Sequence, residues 1–570
     1  MTRRDIICAL ALILFPILVY VPSLSGGFLW DDYQLINNPL VREADGLSRI
    51  WSGREAIDYY PVYYSAFWLQ WRMWGEETTG YHVVNLIVHI LNSLLLWRLL
   101  ARMGFRSAPL CALLFAIHPA NATTVGWISE QKNTLSLFFA LLSGLSFVRW
   151  TGPRDWAVNR HYFLAIVYYM LSLMTKPVMI LLPLFFATVL MASVMTGRDD
   201  ASYRTRWRPL LFAFIPFFIL ALSSALVTTW FQHNRALEGE AVRVISWAER
   251  LTLAGQALWF YLGKSFWPLR HCMIYPKDTL STGMHWLWPW AGWLGLMAVA
   301  LAFWGRAWRA GRRSMNPRYD MPVGALVFMA LLFFTLMLAP VLGFVDQGYY
   351  RFSFVAEHWM YPALPGILLV LGEALGSGRW PRIGGVVAMI VIGLYLANTW
   401  VEAGTYADPV VYFRKAVECN PDNIVAHHNL ANELAARGHI EAAVAHYREA
   451  LRIEPNFLEA RLAVGSLLLQ QGDLTAAGIE IKQALELAPN EPESHFLAGL
   501  WCGRSGAASA AVSHFEMAWQ ADPGNCDVLF NLGLALYQSG RRTEARAVLE
   551  EVLRRQPDFT QARRVLETEL

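Results

Sequence analysis

The chain is 570 residues long, 55% hydrophobic and only 16% charged, with a formal net charge of +3. That small total conceals two unlike parts: residues 1–400 hold 32 Lys/Arg against 21 Asp/Glu, while residues 401–570 hold 15 against 23. An ordinary soluble chain carries roughly 25% charged residues, and 23 of the 25 tryptophans precede position 401, so the first part is excluded as a soluble enzyme.

In chain order, apolar stretches long enough, or nearly so, to span a hydrocarbon core of about 30 Å occur near 5–23, 82–101, 107–118, 133–150, 161–175, 177–195, 209–230, 284–305, 323–344, 358–376 and 383–401. The stretch at 107–118 is short and must be completed by its flanks. Arginine-rich loops stay cytoplasmic. With Arg3 and Arg4 inside, the loops bearing Arg98/Arg102/Arg106, Arg149/Arg154/Arg160, Arg204/Arg206/Arg208, Arg306/Arg309/Arg312/Arg313 and Arg379/Arg382 all fall inside. That consistency requires residues 251–269 to be re-entrant or interfacial. Ser23–Gly26 loosely resembles a signal-peptidase site, but the apolar run continues to Val21 and the residues after it look functional, so the first stretch is read as a retained span. Eleven spans put the C-terminal part outside, in a bacterium in the periplasm. The expected organisation is a membrane domain at 1–402 and an extracytoplasmic domain at 403–570.

The polar residues on the outer side carry the chemistry, because ionisable groups at membrane depth are expensive and usually functional. The first span exits into Trp30-Asp31-Asp32, a carboxylate pair suited to a general base or a cation, or to capping a helix. His82, Asn85, His89 and Asn92 form one stripe of the second span and must face the bundle interior, as a site or as interhelical hydrogen bonds. Further along come His118, Glu130, Lys132 and Lys176, then Tyr261, Lys264, Arg270 and His271, then Tyr349, Arg351, Glu357, His358 and Tyr361. A carboxylate facing several cations at an outer membrane surface suits a sugar joined through phosphate to a long lipid. The cations hold the phosphate, and the carboxylate takes a proton from an attacking hydroxyl.

Beyond residue 404 the pattern becomes periodic. Pro421, Pro455, Pro489, Pro523 and Pro557 stand 34 residues apart, and Gly438, Gly472, Gly506 and Gly540 keep the same step. This is the tetratricopeptide spacing of two antiparallel helices per unit. Ala431, Gly465, Gly499 and Gly533 fall where the two helices of a unit approach closely. The concave face should present His428, Leu462, Phe496, Phe530 and Tyr537, a groove for an extended peptide or partner protein, or else part of a spacer. The fold class is therefore all-α, a polytopic helix bundle followed by an α-solenoid.

Six cysteines show no CxxC or metal-ligand spacing and are expected as isolated buried thiols. No basic run suggests nucleic acid as a partner.

Taken together, Trp30-Asp31-Asp32, Tyr60-Pro61, GYHVVNLIVHILN, HPANATTVGWISEQKNTLS, TKPVMILLPL, the YLGKSFWP to IYP segment, VAEHWMYPALPG and the repeats resemble, in order and over essentially the whole chain, the transmembrane and tetratricopeptide repeat-containing O-mannosyltransferases. The resemblance implies a GT-C type glycosyltransferase that moves one sugar from a polyprenyl-phosphate donor to protein hydroxyls outside the cytoplasm. It implies a base at Asp31 or Asp32, with Asp31 favoured by similarity to the Asp-Glu pair of related enzymes. Donor contacts are expected from Lys132, Lys176, Lys264, Arg351 and His358, with Glu357, His118 and His82 beside them and His358 standing where relatives often carry Arg. No metal or other cofactor is required, since Lys and Arg can neutralise a monophosphate. The partners expected are the membrane lipid donor and an acceptor protein recruited through the repeats. Asn121 and Thr123 replace a His and a Glu of the family pattern, and Tyr60 replaces an Arg. Two rivals are an oligosaccharide ligase or polymerase using a diphosphate lipid, and a non-catalytic membrane scaffold.

Overall fold

The computed structural model describes residues 2–151, 159–196, 207–237, 245–281, 285, 287–309, 321–376 and 381–569. Arg154, Arg204, Arg206, Arg312, Arg313 and Arg379 of the orienting loops lie outside the described residues. The chain divides into two compact units, Met1–Asn420 and Pro421–Leu570.

The first unit is helical. Its elements are α1 (Arg3–Tyr20), α2 (Asp31–Ile36), α3 (Pro61–Trp74), α4 (Thr78–Met103), α5 (Ala108–Ala116), α6 (Gln131–Trp150), α7 (Arg160–Thr175), α8 (Leu182–Thr196), α9 (Trp207–Phe231), α10 (Trp247–Phe266), α11 (Leu287–Arg309), α12 (Val323–Leu338), α13 (Leu364–Gly376), α14 (Pro381–Gly404) and α15 (Pro409–Cys419). Each apolar stretch read from the sequence overlaps one of these helices. By length and composition, six helical segments among the described residues could each cross a membrane alone: Arg3–Ser25, α4, Phe212–Ala236, α11, Val323–Val341 and Arg382–Gly404. At the short stretch 107–118, α5 and the segment Pro119–Gly126 meet at 49° across a two-residue break that includes His118, the geometry of a broken span or of a re-entrant loop. Phe212, Leu222 and Leu226 on α9 and Met389 and Leu394 on α14 are exposed, an apolar surface of the kind a helix turns to lipid rather than water.

Local chemistry explains the helix ends. Thr2 and Asp5 form a capping box at α1, and Ser246 and Glu249 form another at α10. Gly104 ends α4 with φ +98°, the left-handed cap that glycine adopts without a Cβ clash. Helix direction also sorts charge. α6 starts beside Lys132 and ends at Arg149, α7 starts at Arg160 and ends beside Lys176, and a 20-residue helix is about 30 Å long. Residues 251–269 lie mostly in α10, a continuous capped helix.

The expected break at 402/403 falls within α14, and α15 packs with the first unit. A disulfide joins Cys272 to Cys419, 147 residues apart, with Cα atoms 5.9 Å from each other. This corrects the expectation of isolated thiols at these two positions. Their partnership is invisible in sequence because it is long-range, and both residues sit in segments without a spacing signature.

The second unit contains α16 (Ile424–Ala436), α17 (Ile440–Ile453), α18 (Leu458–Gln471), α19 (Leu474–Leu487), α20 (Pro492–Arg504), α21 (Ala508–Ala521), α22 (Cys526–Gln538), α23 (Arg542–Arg555) and α24 (Thr560–Thr568). These are four helix pairs and a closing helix, in the 34-residue register. Gly438, Gly472, Gly506 and Gly540 have φ between +80° and +84°, so the recurring glycine is the turn residue between the helices of each pair. Gly499 and Gly533 serve close approach instead: a Cβ would meet the Phe515 ring at 2.6 Å and Leu549 at 2.8 Å.

Candidate functional site

The adjacent carboxylates of the first loop have different surroundings. Asp32 is fully buried, and it accepts from the backbone N–H of Leu29 at 2.9 Å, from that of Ser129 at 2.7 Å, and from the Ser129 hydroxyl. It therefore pins the start of α2 to the turn before α6. Burial pushes its carboxyl up to about 7 against the pull of these donors. Asp31 is only half-buried and accepts no hydrogen bond among the described residues. Burial raises its carboxyl and Glu130 adds to the rise, while Lys132 and Lys176 oppose it. Immediately before it, Trp30 has φ +36°, a conformation costly for a non-glycine residue and of the kind found at functional sites. Its ring is stacked on Trp127 at 6.0 Å.

Around Asp31 lies the first charged cluster. Glu130 pairs with Lys132 at 3.1 Å and with Lys176 at 3.9 Å, and also accepts from Asn133. Burial works to raise the Glu130 carboxyl, but His358, Lys132 and Lys176 hold it down to about 2. The Lys132 and Lys176 side chains keep 18% and 14% of their surface accessible, so neither is sealed in the core. Burial brings the Lys176 ammonium down to about 8. Asp58, which sequence reasoning missed, belongs here: its charge acts with those of Lys132, Lys176 and Asp31, and it accepts from Gln232 Nε2 at 2.5 Å. Its only sequence signal was its place two residues before Tyr60.

The second cluster is centred on Glu357, which takes His271 Nδ1 at 2.9 Å, Lys264 at 3.3 Å and the Tyr275 hydroxyl. Burial works to raise Glu357, and His271, Lys264 and the Tyr275 hydroxyl hold it down to about 2. Lys264 also donates to the carbonyls of Leu269 at 2.8 Å and Arg270 at 2.9 Å. Arg270, directly before His271, is the second non-glycine residue with positive φ, +56°. The Cys272–Cys419 bond follows at once, so His271 sits between a strained residue and a covalent tether. His358 is buried, with its ring edge-on to Trp127 at 6.0 Å and Tyr349 at 5.5 Å.

Other expected residues sit elsewhere. His82 donates through Nε2 to the Gly26 carbonyl at 3.1 Å, holding the chain as it leaves the first helical segment. His118 donates to Ser265 O at 3.2 Å and accepts from Ala120 N, at the bend between α5 and the next segment. Arg351 is exposed. The rest of the α4 stripe ties helices together: Asn85 to Thr124 O and Thr134, His89 to Tyr361 and Ala116 O, and Asn92 to Thr134 O and Tyr361. That is the interhelical hydrogen-bonding reading of the stripe.

In the repeats, His428 lines a concavity of about 330 Å³ with Asn432, Tyr447, Glu459 and Glu493. Phe496 packs against Phe515, Phe530 against Phe559, and Tyr537 donates to Glu569 at 2.8 Å. All three are half-buried, and Leu462 is buried in the wall of the concavity.

Tetratricopeptide repeat families match residues 428–492 and 504–567. A protein O-mannosyl-transferase of Caenorhabditis elegans is 31% identical over 191 residues, 30% of this chain and 27% of that protein. The protein O-mannosyl-transferase TMTC1 of Mus musculus is 32% identical over 148 residues, 23% of this chain and 16% of that protein. The chain thus spans about a quarter or less of the length of these relatives. Among solved structures, MamA of Desulfovibrio magneticus is similar at 17% identity and a TM-score of 0.25, covering 26% of this chain and 85% of that one. A tetratricopeptide repeat protein of Thermus thermophilus is similar at 20% identity and a TM-score of 0.25, covering 31% and 93%. The resemblance carried by the motifs is therefore matched by sequence similarity: the chain is similar to the TMTC-type protein O-mannosyl-transferases and carries tetratricopeptide repeats.

Proposed function

We propose that this chain is a multi-pass membrane glycosyltransferase that moves a single sugar from a polyprenyl-phosphate donor to a protein hydroxyl on the extracytoplasmic face of a bacterial inner membrane. The observation that carries this reading is the division of labour between the two aspartates. Asp32 is spent on structure, while Asp31 is accessible, accepts no hydrogen bond among the described residues, and stands within the field of two lysines.

In this reaction Asp31 takes the proton of a Ser or Thr hydroxyl as its oxygen bonds to the anomeric carbon, and the bond from that carbon to the phosphate oxygen breaks. The phosphate leaves carrying the electron pair. Lys132 and Lys176 meet the growing negative charge from fixed positions, so little reorganisation is needed in the transition state. Burial that raises Asp31 makes it a stronger base than an exposed aspartate. The Glu357 cluster orders the segment bearing Lys264 and His271 at the edge of the donor site. Asp58 takes the role of a hydrogen-bond acceptor for sugar hydroxyls. The repeats bring the acceptor protein.

Two features support the extracytoplasmic face. Disulfides persist in oxidising compartments, and Cys272–Cys419 adjoins the Glu357 cluster. The arginines of α6 and α7 stand at the opposite helix ends from Lys132 and Lys176, as the positive-inside rule requires of a site facing outward.

The test is an intact-mass comparison of envelope proteins from cells with and without the chain. A single hexose increment that depends on the chain supports the proposal. Addition of a preassembled glycan marks a ligase, and altered protein assemblies with no glycoconjugate change mark a scaffold. Either of those outcomes contradicts it.

A further inference from the structure

Each repeat unit faces one residue of its first helix with one of its second, nineteen positions later. In the second unit the pair is Arg461 and Glu480, an ion pair at 2.8 Å. In the fourth the same positions hold Leu529, in the apolar core of that unit, and Val548, partly buried and packed against that core. In the first and third units both residues are histidine. His427 Nδ1 lies 3.1 Å from His446 Nδ1, and His495 Nδ1 lies 3.1 Å from His514 Nδ1.

The first histidine of each pair has its tautomer set by the backbone. His427 Nε2 lies 2.9 Å from the Pro421 carbonyl, and His495 Nε2 lies 2.8 Å from the Pro489 carbonyl. A carbonyl oxygen only accepts, so Nε2 carries the proton and the neutral ring turns the Nδ1 lone pair toward its partner. Arg461 and Arg563 reach the carbonyls of Pro455 and Pro557 in the same way. The backbone contact thus recurs wherever this position holds His or Arg, and the imidazole pair is particular to two units.

We propose that His427–His446 and His495–His514 are two equivalent sites for a divalent transition-metal ion of the Zn²⁺ class, each holding the ion through two Nδ1 atoms. At a metal–nitrogen distance of about 2.0–2.1 Å, two ligands of a tetrahedron lie roughly 3.3 Å apart, close to the spacing found. A ligating imidazole characteristically donates its other N–H to a backbone carbonyl or carboxylate, which fixes the ring and raises its basicity. His427 and His495 already do so. Imidazole nitrogen also selects Zn²⁺, Cu²⁺ or Ni²⁺ over Mg²⁺ or Ca²⁺.

His427 and His495 are buried, while His446 and His514 are half-buried. Each site is therefore rooted in the core and open on one side, where water completes the coordination shell. Loading moves the second ring's proton from Nδ1 to Nε2. Among the described residues no group of three or more His, Cys, Asp or Glu side chains converges, so these are exchangeable two-ligand sites rather than closed structural ones. A bound ion clips the first helix to the second in units one and three. The Leu529–Val548 pair shows that the repeat packs at these positions without imidazole.

The test uses the full chain in detergent micelles, stripped with a chelator and titrated with Zn²⁺ against a chromogenic competitor. The wild type should bind two more equivalents than a variant carrying His427→Leu, His446→Val, His495→Leu and His514→Val, which installs the pair found in the fourth unit. His446→Ala and His514→Ala should each remove one equivalent. Circular dichroism of every variant checks that the repeats remain helical, and an excess of Mg²⁺ should not compete. A difference of fewer than two equivalents between the wild type and the folded fourfold variant overturns the proposal.

Discussion

The two units build their polar contacts at opposite ranges. In the first, the bonds that shape the candidate site join residues far apart in sequence: Asp32 to Ser129 across 97 positions, His271 to Glu357 across 86, and His89 to Tyr361 across 272. In the second, helix-to-helix pairs recur at nineteen positions and repeat with the unit. A contact that closes a long loop couples its surroundings to the whole unit, whereas a repeat contacts mainly its neighbours. The difference teaches that one substitution in the first unit should act globally and one in the second should act locally.

The largest expected effect sharpens this contrast within a single dipeptide. Asp31→Asn should lower sugar transfer by about 10²- to 10⁴-fold, the usual contribution of a positioned general base, while the melting temperature stays unchanged. Asp32→Ala should do the reverse in kind. It strands the buried N–H groups of Leu29 and Ser129, and each buried donor left without an acceptor costs about 1–3 kcal/mol, read as a lower melting temperature and reduced folded yield. A melting temperature unchanged in Asp32→Ala would break the comparison.

Next in size is the tether. Cys272→Ser should destabilise the first unit by about 2–4 kcal/mol, with the helicity of the second unit retained. A mobility shift on reduction, seen for the wild type and absent in the variant, checks that the bond forms. The pH profile of transfer should follow. Because Asp31 is raised above its ordinary value, activity should fall on acidification at a pH higher than the usual aspartate range, as the base takes a proton. Because Lys176 is brought down to about 8, activity should fall again as pH rises through that region and a phosphate-binding charge is lost. Lys176→Arg should move the alkaline limb upward without moving the acid limb. The smallest effect is expected in the repeats, where Gly499→Ala must displace the Phe515 ring. That overpacking should cost about 1–3 kcal/mol and be confined to the third unit and its neighbours in hydrogen exchange.

How much was legible in the sequence follows the same division of range. The repeats were readable because proline, glycine and alanine mark one geometry several times over. The apolar helices of the first unit were readable as segments, since a hydrophobic run needs no knowledge of its neighbours. The α4 stripe was readable as inward-facing, but the choice between a site and interhelical bonds rested on partners such as Thr134 and Tyr361 that other segments bring up. Which carboxylate of the Asp31–Asp32 pair is structural was not legible, because the answer depends on Ser129, brought up by a different helix. Asp58 was missed for a related reason. An aspartate in a loop is ordinary until the fold sets Gln232 against it and two lysines near it. The partnership of Cys272 with Cys419 likewise exists only after the chain has folded. The histidine pairs of the repeats lay in plain view at a nineteen-residue spacing, but a pair has meaning only when two helices are known to face each other.

The most direct measurement of the central claim is sugar transfer by Asp31→Asn and by wild type at matched membrane levels, read as the intact mass of an acceptor protein. The account predicts a single hexose increment with the wild type and its loss with a fully folded Asp31→Asn chain. An undiminished hexose increment from the Asp31→Asn chain would contradict it.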